Sequence, residues 1–297
     1  ESYAVSYQVS KDHYTAYYGS ATVTINPAAL TAAYHGKTIN YADLQSYDPQ
    51  TDVVVSGFVN HETASTALEY TEPTVVKPTV SGSHTLTPSG GKANDYNFQY
   101  ESGTLTVDQA QRTLTVTGGT FTYDGNEYGV TYEITPVSGT TDEIFYSTDG
   151  TTWQSDPIVQ KDVGSVTVYV KAKSSDPNYA PVIGSAAVTI NPKPLTGTFT
   201  ARKTYDGTAE AKDFLSKMIV TGAVSGDEIQ YNTDHVTAVF DNQNAGSNKA
   251  LTIEGVELSG DSAKNYTLSV SGTGVIDPKE LSVSAYAEDK VYDPPAS

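Results

Sequence analysis

The sequence predicts an all-β protein with minor helix, organised as tandem β-sandwich or β-grasp-like modules arranged end to end. Three observations predict it. The 297 residues lean on Thr, Val, Ser and Tyr, while Leu and Lys are scarce, so the side chains favour pleated strands with polar outer faces. Short stretches alternate in polarity, as in Ser20-Ala21-Thr22-Val23-Thr24-Ile25 and Val166-Thr167-Val168-Tyr169-Val170, which puts apolar groups on one face. The third observation is internal repetition, which decides what counts as a domain.

Four junctions carry the repeat: Thr24-Ile25-Asn26-Pro27, Thr106-Val107-Asp108-Gln109, Thr189-Ile190-Asn191-Pro192 and Val275-Ile276-Asp277-Pro278. Their Asn/Asp positions 26, 108, 191 and 277 lie 82, 83 and 86 residues apart. A Tyr precedes each junction (Tyr14, Tyr96, Tyr179, Tyr266) by 12, 12, 12 and 11 residues, and another follows (Tyr41, Tyr123, Tyr205, Tyr292) by 15, 15, 14 and 15. Asn-Pro or Asp-Pro removes a backbone donor and restricts two residues, which suits a short, stiff connection between modules.

The period divides the chain into a C-terminal remnant of a preceding repeat (1–27), complete modules at 28–109, 110–193 and 194–278, and the start of another repeat (279–297). Modules of this length can each hold a core. Helix is expected in module 28–109 at residues 62–68 and in module 194–278 at residues 209–218, where Phe214, Leu215 and Met218 share a helical face. Module 110–193 offers strands at 144–147 and 166–171 around a Thr148-Asp149-Gly150-Thr151 turn, and reads as a plain sandwich.

Composition narrows the chemistry. Seventeen Lys and Arg against 35 Asp and Glu give a formal charge of −18, and only Arg112 and Arg202 supply guanidinium groups, so nucleic acid and anionic membranes are poor partners. No window approaches 18 consecutive apolar residues, so no membrane insertion is expected in this segment. Zero Cys removes disulfides, thiolate chemistry and Cys-ligated metals.

Residues 31–107 resemble the MBG domains of large bacterial surface proteins through Ser56-Gly57-Phe58-Val59, Glu62-Thr63-Ala64-Ser65 and Asn94-Asp95-Tyr96-Asn97-Phe98 leading to Gly103-Thr104-Leu105-Thr106-Val107. Tyr41-Ala42 stands where that family shows Tyr-Gly, and His61 where a Gly precedes the Glu. Residues 195–279 resemble the companion YDG domain through Lys203-Thr204-Tyr205-Asp206-Gly207-Thr208, Ser225-Gly226-Asp227, Asn244-Ala245-Gly246 and Asn265-Tyr266-Thr267-Leu268. Lys290-Val291-Tyr292-Asp293 begins a further YDG-like copy, with Pro294 at the Gly position, and the middle module is similar to bacterial Ig-like repeats. The resemblance implies an exported adhesin-type or surface-array protein and names no ligand.

No catalytic residues are expected. His13, His35, His61, His84 and His235 are scattered outside any zinc-protease spacing, and the chain has neither a nucleophile elbow nor a phosphate loop. Tyr123-Asp124-Gly125 and Tyr205-Asp206-Gly207 read as turns anchored by their tyrosines, and Tyr41, Tyr96, Tyr179 and Tyr266 as packing anchors with the phenol hydrogen-bonded at its rim. Trp153 beside Tyr146 is the candidate aromatic platform for a sugar ring. Asp241, Asn242 and Asn244, with Asp142-Glu143, are weak Ca²⁺ candidates that lack the ligand ladder of a calcium loop, so no cofactor is expected beyond that ion.

The function expected is a non-catalytic stalk or adhesin region of a bacterial surface or secreted protein, carrying distal domains away from the cell and contacting neighbouring repeats of its own chain. Two alternatives stand beside it: a module binding host or environmental glycan, mucin or matrix protein through exposed aromatics, and an accessory region of a secreted polysaccharide-active enzyme.

Overall fold

The structure, a computed structural model, describes residues 1–293 and 295; Pro294, with the last two residues of segment 279–297, lies outside them. The described chain is strand with a few 3-10 turns, and divides into two compact units. Unit one holds 1–115 with 133–144 and 171–184; unit two holds 116–132, 145–170 and 185–297, so the middle repeat contributes to both.

In unit one, Ser2–Val9 and Tyr17–Thr24 form an antiparallel hairpin with its side chains largely exposed. The MBG-like repeat follows as two three-stranded sheets. Ala28–Tyr34 lies between Val53–Ser56 and Tyr96–Glu101, and Gly103–Asp108 between Lys37–Asn40 and Gly82–Leu86. Leu30, Ala32 and Tyr34 alternate inward along the first strand, Leu105 and Val107 along the last.

Unit two shows the same logic in longer strands. A five-stranded sheet runs in the order Ile219–Thr221, Lys193–Thr204, Tyr266–Asp277, Gly246–Glu254, Thr237–Phe240. Every second residue of Lys193–Thr204 points inward, burying Leu195, Gly197, Phe199, Ala201 and Lys203; the large apolar ones contribute roughly 1.5–3 kcal/mol each. Lys203 is the outlier in that row. Its ammonium is caged by both Asp206 carboxylate oxygens, the Thr208 hydroxyl and carbonyl, and the Glu210 carbonyl, at 2.9–3.1 Å, so the buried charge is paired and hydrogen-bonded.

One arrangement recurs in all three repeats: the opening strand pairs in parallel with the closing strand. The registers end at Asn40↔Asp108, Thr122↔Asn191 and Thr204↔Asp277. They begin with Ala28↔Tyr96, the isolated bridge Ala110↔Tyr179, and Lys193↔Tyr266. Each repeat thus has a head at its opening, where Ala28, Ala110 or Lys193, the last of these one residue before its repeat, meets Tyr96, Tyr179 or Tyr266. Each also has a tail, where its junction Asn/Asp lies beside Tyr41, Tyr123 or Tyr205.

Neither expected helix forms. Residues 62–68 make a turn in which Thr66 and Ala67 N–H both return to the Thr63 carbonyl. In the second segment only Lys212–Phe214 winds, as one 3-10 turn. The flanking backbone groups are spent across the chain instead: Ala211 N–H donates to Ala238 O, Phe240 N–H to Ala209 O, and Ser216 N–H to Thr200 O. The supposed apolar face is split, with Met218 buried and Phe214 exposed.

Gly274 lies where the closing strand crosses Ala201 and Phe240; a Cβ there would stand 2.3 Å from the Ala201 carbonyl oxygen and 2.7 Å from the Phe240 ring. Gly274→Ala is expected to cost about 1–3 kcal/mol of stability. Urea denaturation of the two proteins checks it, and an unchanged midpoint would refute the packing.

Candidate inter-module interface

The parallel register explains why two tyrosines keep step with the junctions. A tail Tyr follows the last residue paired with the junction Asn/Asp, so it faces the repeat that comes next. A head Tyr lies opposite the residue at the opening of its own repeat, Ala28, Ala110 or Lys193, so it faces the repeat before. In both complete junctions the two meet.

Within unit one, Tyr41 and Tyr179 contact edge to face, centroids 5.9 Å apart and planes at 76°. Asn178, 7% exposed, accepts the Ser81 N–H through Oδ1 at 2.6 Å. Its carbonyl accepts Ala110 N–H, and the Ala110 carbonyl accepts Ala180 N–H. This junction lacks a proline; Gln109 Nε2 donates to the Pro177 carbonyl at 2.6 Å and ties the connection instead. Ala42, in the position where the resembled family shows Gly, sits in a 3-10 turn capped by Asn40 Oδ1, which accepts the Ala42 N–H.

Within unit two, Tyr123 and Tyr266 repeat the contact at 5.4 Å and 79°, an edge-to-face geometry that aromatic quadrupoles prefer. Asn265, 2% exposed, accepts the Val163 N–H through Oδ1 at 2.9 Å, and its Nδ2 donates to Asp162. Both phenols donate to Oδ2 of Asp227, Tyr123 at 2.9 Å and Tyr266 at 2.5 Å, while Val224 N–H donates to the Tyr266 oxygen. Leu195, Ile190, Val163 and Val224 surround the pair, so the hydrogen bonds lie against an apolar floor. Burial, reinforced by the Asp227 carboxylate, pushes the Tyr266 phenol up to about 12 and raises that of Tyr123.

The MBG-like repeat carries the same phenol, carboxylate and valine, with exposed Asp95 in the place of the buried head Asn, and no tail Tyr meets Tyr96 among the described residues. Tyr96 donates to Glu62 Oε2 at 2.6 Å and accepts the Val59 N–H at 3.1 Å, as Tyr266 does with Asp227 and Val224. The Glu62 carboxylate raises the Tyr96 phenol. Val59-Asn60-His61-Glu62 and Val224-Ser225-Gly226-Asp227 share the spacing. His61 takes φ +62°, the left-handed conformation that Gly226 adopts at +94°, so the turn is kept at some backbone strain.

Of the other sequence candidates, the Tyr123-Asp124-Gly125 turn belongs to the unit-two junction, where a Cβ on Gly125 would meet Val224 at 3.0 Å. Trp153 and Tyr146 are half-buried in unit two, and Tyr146 exchanges backbone hydrogen bonds with Gln154, next to the tryptophan. The two Asp-Gly turns match: Asp124 Oδ1 accepts Asn126 N–H and Asp206 Oδ1 accepts Thr208 N–H, with Gly125 and Gly207 both at φ +83°. At the calcium candidates, the Lys249 ammonium lies 2.7 Å from both Asp241 Oδ1 and Asn242 Oδ1, and Asn242 Oδ1 also accepts Asn244 N–H. A cation is therefore already supplied by the chain there. Asp142 pairs with the buried Arg112 at 2.8 Å and Glu143 with Lys173 at 3.7 Å. Among the described residues no group of three His, Cys, Asp or Glu could hold a metal.

Sequence reasoning singled out the tyrosines and missed Asn178, Asn265, Asp227 and Glu62 as their partners. The repeated Val-x-x-acid spacing is the signal that would have found two of them.

Two outcomes follow from the Asp227 bridge. Tyr266→Phe is expected to destabilise unit two by about 1.5–3 kcal/mol, because it removes a bond to a charged acceptor, and Tyr123→Phe to cost more in the Tyr266→Phe background than alone, because the Asp227 carboxylate then loses its last phenol donor. Thermal unfolding of the four-protein cycle measures the coupling; strict additivity would contradict a shared acceptor. The native phenol of Tyr266 holds its proton more tightly than an unfolded one, whose value is near 10. That stability is complete below pH ~10 and is lost as pH rises through about 12, so alkaline unfolding of Tyr266→Phe should be shallower than that of the parent.

Residues 30–106 match the MBG domain (YGX type) and residues 191–274 the YDG domain. No curated protein matches the chain. Protocadherin gamma B2 extracellular cadherin domains 3-6 align at 10% identity over 84% of this chain and 73% of that one, with a TM-score of 0.23. Mouse clustered PcdhgC3 EC1-3 aligns at 8% identity over 82% and 92%, with a TM-score of 0.17; at such scores neither alignment defines a shared fold. No helix among the described residues is long and apolar enough to cross a membrane. The chain thus carries an MBG domain and, after an intervening β repeat, a YDG domain, non-catalytic repeat-type domains typical of repeat-containing surface proteins.

Proposed function

We propose that this chain is a non-catalytic stalk segment of a bacterial surface or secreted protein, whose task is to hold successive repeats in a fixed order and carry other domains outward. The observation that carries this reading is the recurrence of one joint. Tail Tyr, head Tyr and a buried head Asn meet at both complete junctions, through the positions that keep the repeat period. A chain whose most regularly repeated side chains are used against its own neighbouring repeat is built for connection. The charge of −18 supports it, since like-charged repeats resist collapse on one another.

Small-angle scattering tests the reading. A compact body of this length has a radius of gyration near ~19 Å, whereas three repeats in line give about 30 Å. The stalk reading expects the larger value, and the smaller one contradicts it. A panel of immobilised mucins, polysaccharides and matrix proteins, probed with the parent and with Trp153→Ala, tests the glycan-binding alternative. The stalk reading expects no saturable binding; binding lost on Trp153→Ala would replace it with the adhesive one.

A further inference from the structure

The YDG repeat ends in a tail that matches the filled tail of the repeat before it, but among the described residues no following turn is seated on it. Tyr123 N–H donates to the junction carbonyl of Asn191 at 2.9 Å, and Tyr205 N–H to that of Asp277 at 2.8 Å. The turns that follow are alike down to Gly125 and Gly207 at φ +83°. What differs is the surroundings. Tyr123 is 3% exposed and its phenol reaches Asp227, whereas Tyr205 is 37% exposed. A Cβ on Gly125 would meet Val224 at 3.0 Å; one on Gly207 would meet nothing within 4 Å. The Lys203 cage holds Asp206 and Thr208 in place, so the turn is formed in advance of any partner.

We propose that Tyr205, Asp206 and Gly207 form a docking face for a following repeat of the YDG kind. The partner would supply a Val-x-x-Asp turn and an Asn-Tyr pair: its valine over Gly207, its tyrosine edge to face with Tyr205, its carboxylate accepting the Tyr205 phenol. Three observations commit the face to this occupant. The interface continues the one at Tyr123 and Tyr266 position by position. Residues Lys290-Val291-Tyr292-Asp293 open another copy of Lys203-Thr204-Tyr205-Asp206 in the same chain. The MBG domain holds the complementary phenol, carboxylate and valine: Tyr96, Glu62 and Val59 line a cleft with Tyr3 and Asn26 in which, among the described residues, no tail Tyr is seated. The phenol–carboxylate–valine part of the head thus occurs in both the MBG and the YDG repeat. This inference rests on the stalk reading and adds the residues by which the stalk would be extended.

The test is a tandem chain in which residues 1–278 are followed directly by a second copy of 193–278, so that Asp277-Pro278-Lys193 reproduces Asn191-Pro192-Lys193. The second copy carries Tyr205→Phe, leaving one Tyr205 to be read. Nitration with tetranitromethane, mapped by mass spectrometry, compares Tyr205 with exposed Tyr14 and buried Tyr123 in the same molecule. Tyr205 should react readily in the parent and about tenfold more slowly in the tandem chain. Asp227→Ala in the second copy alone should restore much of the reactivity. Equal reactivity of Tyr205 in a folded tandem chain and in the parent overturns the proposal. Scattering from the same tandem chain separates the two readings: a compact particle with Tyr205 protected removes the stalk and keeps the docking face, whereas an elongated one with Tyr205 reactive does the reverse.

Discussion

Everything distinctive in this protein depends on one pairing, that of each repeat's opening strand with its own closing strand, in parallel. An antiparallel pair would bring the first residue of a repeat next to its last. The parallel pair sets them a strand length apart, roughly 36 Å for the twelve paired residues of the YDG domain. A parallel pair also needs a crossover, and the remaining strands of each repeat supply it. Entry and departure of the chain are thereby separated, and each repeat acquires a head and a tail with different residues.

The joints built on those ends are small and polar at the rim. Two phenol rings meet at an angle, and a buried Asn side chain takes a backbone N–H that would otherwise be left unpaired beside them. Such groups add less binding energy than an apolar patch of similar size, but an unmet donor or acceptor costs a full desolvation penalty. The joint is therefore stringent about geometry. Asp227 makes the clearest case, since one carboxylate oxygen serves a tyrosine from each of two repeats, separated by 104 and 39 residues in sequence.

Much of this was legible in the sequence, for identifiable reasons. Alternation of small β-branched and polar residues marks strands wherever one face is buried, and the strands closing each repeat at Asp108, Asn191 and Asp277 lie where that pattern puts them. The tyrosine spacings were visible because the parallel register fixes them. The groups that complete the joints were not, because Asp227, which accepts the phenols, and Ser81 and Val163, which donate to the neighbouring Asn178 and Asn265, lie in loops whose separation from the tyrosines varies from repeat to repeat. The helices expected at 62–68 and 209–218 rested on local apolar spacing, which says nothing about cross-chain bridges such as Ala211 to Ala238 and Ser216 to Thr200. Asp241, Asn242 and Asn244 read as weak calcium candidates because sequence shows Lys249 only as one more surface lysine, whereas its ammonium lies 2.7 Å from both Asp241 and Asn242.

The central claim is that tail and head tyrosines of successive repeats meet. Nuclear Overhauser contacts between ring protons of the intact chain, assigned with selectively labelled tyrosine, test it most directly. The account predicts cross-peaks for Tyr41 with Tyr179 and for Tyr123 with Tyr266. A well-dispersed spectrum of the folded chain in which both pairs are silent would contradict it.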